Sequence, residues 1–143
     1  MTTAWTRTHV EAVANLEVAQ LPKLAATEVV RPRSELYYWD MWPVQDRDGN
    51  IAHIAGREFW MILTAPDNGD PSGRHFNAKI HLLERKDAKW VDLGPLLPDF
   101  GGPYEREWSG SSIWDQGKYV LWFTGAGLEA SPGGYQQALF ETT

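Results

Sequence analysis

Cysteine is absent from the chain. That excludes disulfide frameworks and thiolate metal sites but leaves the compartment open, since a secreted protein can do without disulfides. Long apolar runs are missing too: none is longer than Phe59–Leu63, about a quarter of a bilayer-spanning helix. Met1 to Lys23 has no continuous apolar stretch ahead of a small-residue cleavage site, so the pattern of a secretory leader is not there. The expectation is a protein that stays in the cytoplasm, leaves by a signal-independent route or has had its leader removed. Basic charge is scarce: 13 Lys and Arg against 19 Asp and Glu give a formal net charge of −6. A polyanionic partner needs a basic face whose phosphate contacts release counterions, so neither nucleic acid nor a membrane is an expected partner.

What is present is the composition of one globular domain. Of 143 residues, 43% are apolar and 22% charged, which rules out disorder and collagen-like repetition. Eight tryptophans, five tyrosines and five phenylalanines stand out. Such rings fill a core or form the floor of a sugar site.

Thr8-His9-Val10-Glu11 is a capping-box pattern, and the apolar spacing after it predicts a short helix from about Thr8 to Glu17. Pro22 and Arg31-Pro32-Arg33 keep the chain extended or looped as far as Ser34. From Glu35 on, the pattern reads as strands. Expected strands are Glu35–Asp40, closed by Pro43, then Glu58–Thr64, Lys79–Glu84, Lys89–Leu93, Glu107–Trp114, Lys118–Thr124 and Gln136–Glu141. The nearly continuous apolar run Glu58–Thr64 suits a strand buried on both faces. Seven short strands argue for an all-β fold, a sandwich or propeller blades. Blades are favoured because an aromatic strand, a turn and a long apolar strand recur after roughly 70 residues, with the excess length placed in a loop from Asp67 to Arg74.

Several motifs have plain readings. Asp46-x-Asp48-x-Asn50 resembles the start of a calcium loop, but Ile51 replaces the turn glycine and Arg57 the bidentate glutamate, leaving a solvated hairpin turn. His75 and His81, six apart on an expected strand, would lie about 20 Å apart, too far to share a metal. No metal or cofactor is expected. Ser109-Gly110-Ser111-Ser112 lacks the frame of a serine nucleophile. Trp39-Asp40-Met41-Trp42-Pro43 differs: an indole packs on the C–H face of a sugar ring, and a carboxylate beside it can attack the anomeric carbon. The same pattern also describes a strand end with a turn aspartate and two core tryptophans.

Trp39 to Asn50 closely resembles the W-D-x-W-P-L-x-D-x-D-G-N segment of glycoside hydrolase family 68, the levansucrases, inulosucrases and bacterial β-fructofuranosidases. In the same order, Phe59–Pro66 resembles the family's apolar strand ending in L-T-A. Arg74–Ile80 resembles its R-H-x-x-A-K-I, Arg106–Ser111 its R-E-W-A/S-G-S/T, and Lys118–Gly125 the strand that follows. The resemblance implies a five-bladed β-propeller with a central funnel, of which residues 35–143 form about the first two blades after an N-terminal segment of residues 1–34. It implies that sucrose is cleaved with retention through a fructosyl-enzyme intermediate. By motif, Asp40 takes the nucleophile's position, and Trp39, Trp108, Ser109 and Trp42 positions around the fructosyl unit. Trp60, Trp90, Trp114 and Trp122 read as strand residues packing blades, and Trp5 as an anchor of the N-terminal segment.

Retention needs a second carboxyl group. The family's acid/base glutamate and its R-D-P aspartate have no counterpart here. The expectation is therefore that a second chain supplies the remaining blades and both groups, with sucrose and fructan acceptors as small-molecule partners. A non-catalytic carbohydrate-binding or regulatory subunit of the same descent is the alternative.

Overall fold

A computed structural model describes residues 6–8, 11, 30–97, 103–128, 134 and 137–142. The chain divides into two compact units, Met1–Val30 and Arg31–Thr143. In the first, Arg7, Thr8 and Glu11 are helical. Arg7 Nε donates to Glu11 Oε1 at 2.8 Å across one helical turn. The rest of the expected helix, and Trp5, lie outside the described residues.

The second unit is built of strands β1 (Leu36–Gln45), β2 (His53–Ile54), β3 (Arg57–Pro66), β4 (Lys79–Lys86), β5 (Lys89–Pro95), β6 (Tyr104–Asp115), β7 (Lys118–Leu128) and β8 (Gln137–Thr142), with one 3-10 helix, Pro71–Asn77. The spatial order is β5-β4-β3-β1-β6-β7-β8, with β2 added beside β3. Two antiparallel meanders, β1-β3-β4-β5 and β6-β7-β8, meet where β1 and β6 run parallel, Val44 opposite Ser112 and Gln45 opposite Ile113. Leading strands side by side and parallel are the signature of consecutive propeller blades, and the ring is not closed.

Strand β3 is buried on both faces, as its apolar run predicts. Phe59, Met61 and Leu63 alternate into a core with Val44, Ile80, Leu121 and Phe123 from both meanders, while Ile62 and Thr64 are buried on the opposite side. Strand β1 runs past Pro43, where the sequence expectation stopped it. The Val44 carbonyl accepts from Ala52 N–H on the β3 side. Pro43 therefore turns towards β6, and its carbonyl takes the Ser112 hydroxyl at 3.3 Å. The β1–β6 ladder starts only at Val44. Proline's missing donor thus falls ahead of the ladder, where it breaks nothing.

The expected loop from Asp67 to Arg74 is only partly a loop. From Pro71 the chain forms the 3-10 helix, because Asp70 caps it, accepting Ser72 N–H at 2.9 Å and the Ser72 hydroxyl at 2.8 Å, and Pro71 opens it with a preset φ.

Candidate functional site

Antiparallel pairing of β1 with β3 puts Trp39 opposite Leu63 and Met41 opposite Ile62, so Asp40 is an extra residue in a β-bulge. Its φ is +49°, left-handed backbone that a residue with a Cβ adopts at a cost of order 1 kcal/mol or more. The same device recurs in the second meander. Trp108 pairs with Thr124 and Gly110 with Phe123, leaving Ser109 as the bulge residue. Two Trp-X bulges, roughly 70 residues apart in sequence, thus stand on the neighbouring parallel strands β1 and β6.

Both bulges open into one cavity of about 350 Å³. Trp39, Asp40, Trp108 and Ser109 line it from the strands, with Leu63 behind them, and Ser72, His75 and Phe76 line it from the 3-10 helix. Four of the five residues singled out by sequence therefore meet. The fifth, Trp42, does not reach the cavity; it packs on the core, and its indole N–H is buried without a partner among the described residues. Asp40 is the one carboxylate among the described lining residues.

The 3-10 helix is fastened to the strands by the residues of the cavity itself. Trp108 Nε1 donates to the His75 carbonyl at 3.1 Å. The His75 ring stands edge-on to both indoles, 5.7 Å from Trp39 and 6.3 Å from Trp108. Two cations back the aromatic wall: the Arg74 guanidinium lies 5.5 Å from the Trp39 ring, and that of Arg106 lies 5.2 Å from Phe76 and 5.8 Å from Trp108. Arg106 is buried, its other bonds going to Glu105 and to the Gly134 carbonyl.

Glu107, just before Trp108, fixes β6 against the first meander. Its buried carboxylate accepts Ile80 N–H at 2.7 Å and lies 3.3 Å from Lys79 Nζ, while its own N–H donates to the Ala78 carbonyl at 3.0 Å. These bonds tie β6 to the chain entering β4, so the cavity's two walls are registered by a charge-assisted pair whose carboxylate is buried.

The calcium-like motif is a hairpin turn, while the two histidines are placed differently from their expected positions. Asp46 accepts the N–H groups of Asp48 and Asn50, both at 2.9 Å, as an Asx turn does, and the Asn50 donor leads in holding its carboxyl below the usual range. His75 lies on the 3-10 helix rather than the expected strand. His81, on β4, bonds to Asp92 instead of sharing a ligand with it. No cluster of three metal-ligating side chains occurs among the described residues. Trp60 and Trp90 pack edge to face at 5.5 Å, Trp114 packs on Tyr119, and Trp122 donates to Glu141 at 2.6 Å, all within strands. Sequence reasoning missed Ser72, His75 and Phe76 as wall residues. The signal for their helix was Asp70-Pro71, a cap followed by an N1 proline.

A family model described as Levansucrase/Invertase matches residues 1–143. The chain is 32% identical over 110 residues to the extracellular sucrase of Zymomonas mobilis, covering 76% of this chain and 27% of that protein. The solved inulosucrase from Halalkalicoccus jeotgali bound to kestose superposes with a TM-score of 0.68 at 32% identity, covering 77% of this chain and 28% of that one. Bacillus subtilis levansucrase gives a TM-score of 0.69 at 22% identity over 85% of this chain and 30% of that one, a likeness of fold. The chain spans little more than a quarter of the length of the first two of these relatives.

Proposed function

The chain belongs to glycoside hydrolase family 68, the levansucrases and invertases, and on that premise we propose that it is the nucleophile-bearing part of a retaining, sucrose-cleaving fructosyltransferase or β-fructofuranosidase. The observation that carries this reading is the placement of Asp40. It is the lone carboxylate among the described residues lining an aromatic cavity, on a left-handed bulge, facing the matching Trp108-Ser109 bulge.

In the proposed reaction the C–H face of the fructosyl ring packs on the indoles of Trp39 and Trp108. An Asp40 oxygen attacks the anomeric carbon as the bond to the glucosyl oxygen breaks. That oxygen takes a proton from a second carboxyl group, which retention requires at roughly 5–5.5 Å from the first. The resulting carboxylate then removes a proton from water or a sugar acceptor, whose oxygen displaces Asp40 and completes hydrolysis or transfer. The second carboxyl group, the aspartate that holds the fructosyl hydroxyls and the remaining blades come, in this proposal, from outside these 143 residues. In this scheme residues 35–143 are the first two of five blades, and residues 1–34 an N-terminal segment.

Asp40→Asn keeps the side-chain shape and removes the nucleophile. Glucose release from sucrose by the complete assembly should fall at least about a thousandfold with the fold unchanged, consistent with losses at other covalent nucleophiles. Turnover near wild type in that variant refutes the assignment. A second reading, a non-catalytic sugar-binding or regulatory subunit, would use the same aromatic cavity without chemistry. Sucrose binding without turnover in the complete assembly would select it.

A further inference from the structure

We infer that His75 is a substrate-binding residue: its imidazole hydrogen-bonds a hydroxyl of the sugar unit seated over Asp40. The inference rests on the reading of the cavity as a sucrose site and adds to it a wall that the strands do not provide.

His75 is held as a preorganised group. Its backbone is fixed by the Asp70 cap of the 3-10 helix and by the Trp108 indole N–H on its carbonyl. Its ring is fixed by edge contacts with Trp39 and Trp108, at interplanar angles of 81° and 76°. Among the described residues no hydrogen bond engages the His75 ring nitrogens, although the residue is half-buried and lines the cavity. The contrast with His81 is informative: that histidine is buried, lies away from the cavity and commits Nδ1 to Asp92 at 3.0 Å.

The donor inventory of the cavity points the same way. A sugar hydroxyl both donates and accepts, and ionised Asp40 can only accept. Of the other polar groups, the Ser72 hydroxyl donates to Asp70, the Trp108 indole N–H to the His75 carbonyl, and the Trp39 indole N–H is buried away from solvent. Ser109 and His75 are left to donate to a sugar oxygen. Imidazole offers an N–H in either protonation state and an acceptor nitrogen when neutral, so it serves a hydroxyl in both directions.

The test separates ring packing from hydrogen bonding. His75→Phe keeps a ring between the two indoles and removes both nitrogens; His75→Gln restores a donor and an acceptor; His75→Ala serves as a variant too small to clash. Each is measured in the complete sucrose-cleaving assembly for glucose release, and for sucrose affinity by indole fluorescence. The expected result for His75→Phe and His75→Ala is a KM and a dissociation constant for sucrose raised about tenfold, with kcat within about threefold of wild type, the size of one lost hydrogen bond. His75→Gln should recover most of the affinity. A His75→Phe variant with wild-type KM and affinity overturns the inference while leaving the sucrose reading intact, provided the wild type turns sucrose over. A wild-type assembly that neither binds nor cleaves sucrose overturns both.

Discussion

At the scale of single residues, the site depends on two bulges, and each makes a distinct demand on the sequence. Asp40 tolerates φ +49° because a short polar side chain suits left-handed backbone better than a β-branched one. The bulge around Ser109 depends instead on Gly110. A Cβ there would collide with the Trp122 carbonyl group and the Phe123 Cα, backbone atoms of the paired strand that cannot move aside. Gly110→Ala should therefore destabilise the fold by about 3 kcal/mol, the upper range for overpacking, read as a lower urea midpoint. An unchanged midpoint would show that β6 can shift off β7. Trp39→Ala and Trp108→Ala should chiefly weaken sugar binding, by ~1–3 kcal/mol of lost stacking area, measured as sucrose affinity. Trp108→Ala should cost more than Trp39→Ala, because it also releases the His75 carbonyl. The motifs made Asp40, Trp39, Trp108 and Ser109 legible from sequence as residue types. The bulges that aim them were not legible, because a bulge is a mismatch between two strands and one strand's sequence does not contain it. Trp42 shows the same limit from the other side: its motif position is intact, yet it shares Trp39's core-facing side of β1 and sits further along the strand, opposite Met61, away from the cavity.

At the scale of elements, the first blade carries a polar network on the face of β4 that holds buried His81. The Asp92 carboxylate on β5, 1% exposed, accepts the Tyr38 hydroxyl of β1 at 2.7 Å, Gly94 N–H at 2.7 Å and His81 Nδ1 of β4 at 3.0 Å, with Arg33 Nε at 3.4 Å. Burial pushes this carboxyl up, but the donors from Tyr38, His81 and Gly94 outweigh it and hold it below the usual carboxylate range. Burial, and after it the bond to Asp92, pushes the Tyr38 hydroxyl up. Because the folded Asp92 value lies below the unfolded one, near 3.9, its stabilisation is complete above about pH 4 and is lost as pH falls through the folded value. Wild type should accordingly lose stability more steeply below pH 4 than Asp92→Asn does, in thermal unfolding followed against pH. At neutral pH Asp92→Asn should cost about 2–4 kcal/mol, since an amide cannot accept from all these buried donors. Parallel acid slopes for the two proteins would show that the carboxylate titrates alike in both states. Each of the seven strands expected from sequence is present, because alternation and apolar runs act locally. The 3-10 helix was hidden because a polar, Gly- and Pro-containing stretch has no apolar period, and its order comes from the cap and from the Trp108 bond.

At the scale of the whole molecule, the recurrence at roughly 70 residues is visible in three dimensions as two parallel leading strands with matched bulges, so the repeat in sequence and the repeat in structure are one feature. It also defines what is left open. Phe123 and Phe140 stack on the core side of the second blade, while Leu139, paired with Thr124, points to the other side and is 73% exposed. Trp122 shares that outer side, its indole bonded to Glu141 across the strand pair. In a closed propeller this is the surface on which the next blade packs, and an uncovered sheet face with a large exposed leucine favours association. In the proposed enzyme the remaining blades would cover this face and carry the second carboxyl group, which ties the packing of this face to activity. These 143 residues alone should release no glucose from sucrose until a polypeptide that carries the remaining blades is added. Leu139→Lys, far from Asp40 in sequence and on the opposite face from the core, should weaken this association at least tenfold in a sedimentation titration and reduce glucose release only in proportion to the complex lost. Sucrose cleavage by these 143 residues as a monodisperse monomer would refute the dependence on further blades. A Leu139→Lys variant that binds its partner normally would place the contact on another face of the blades.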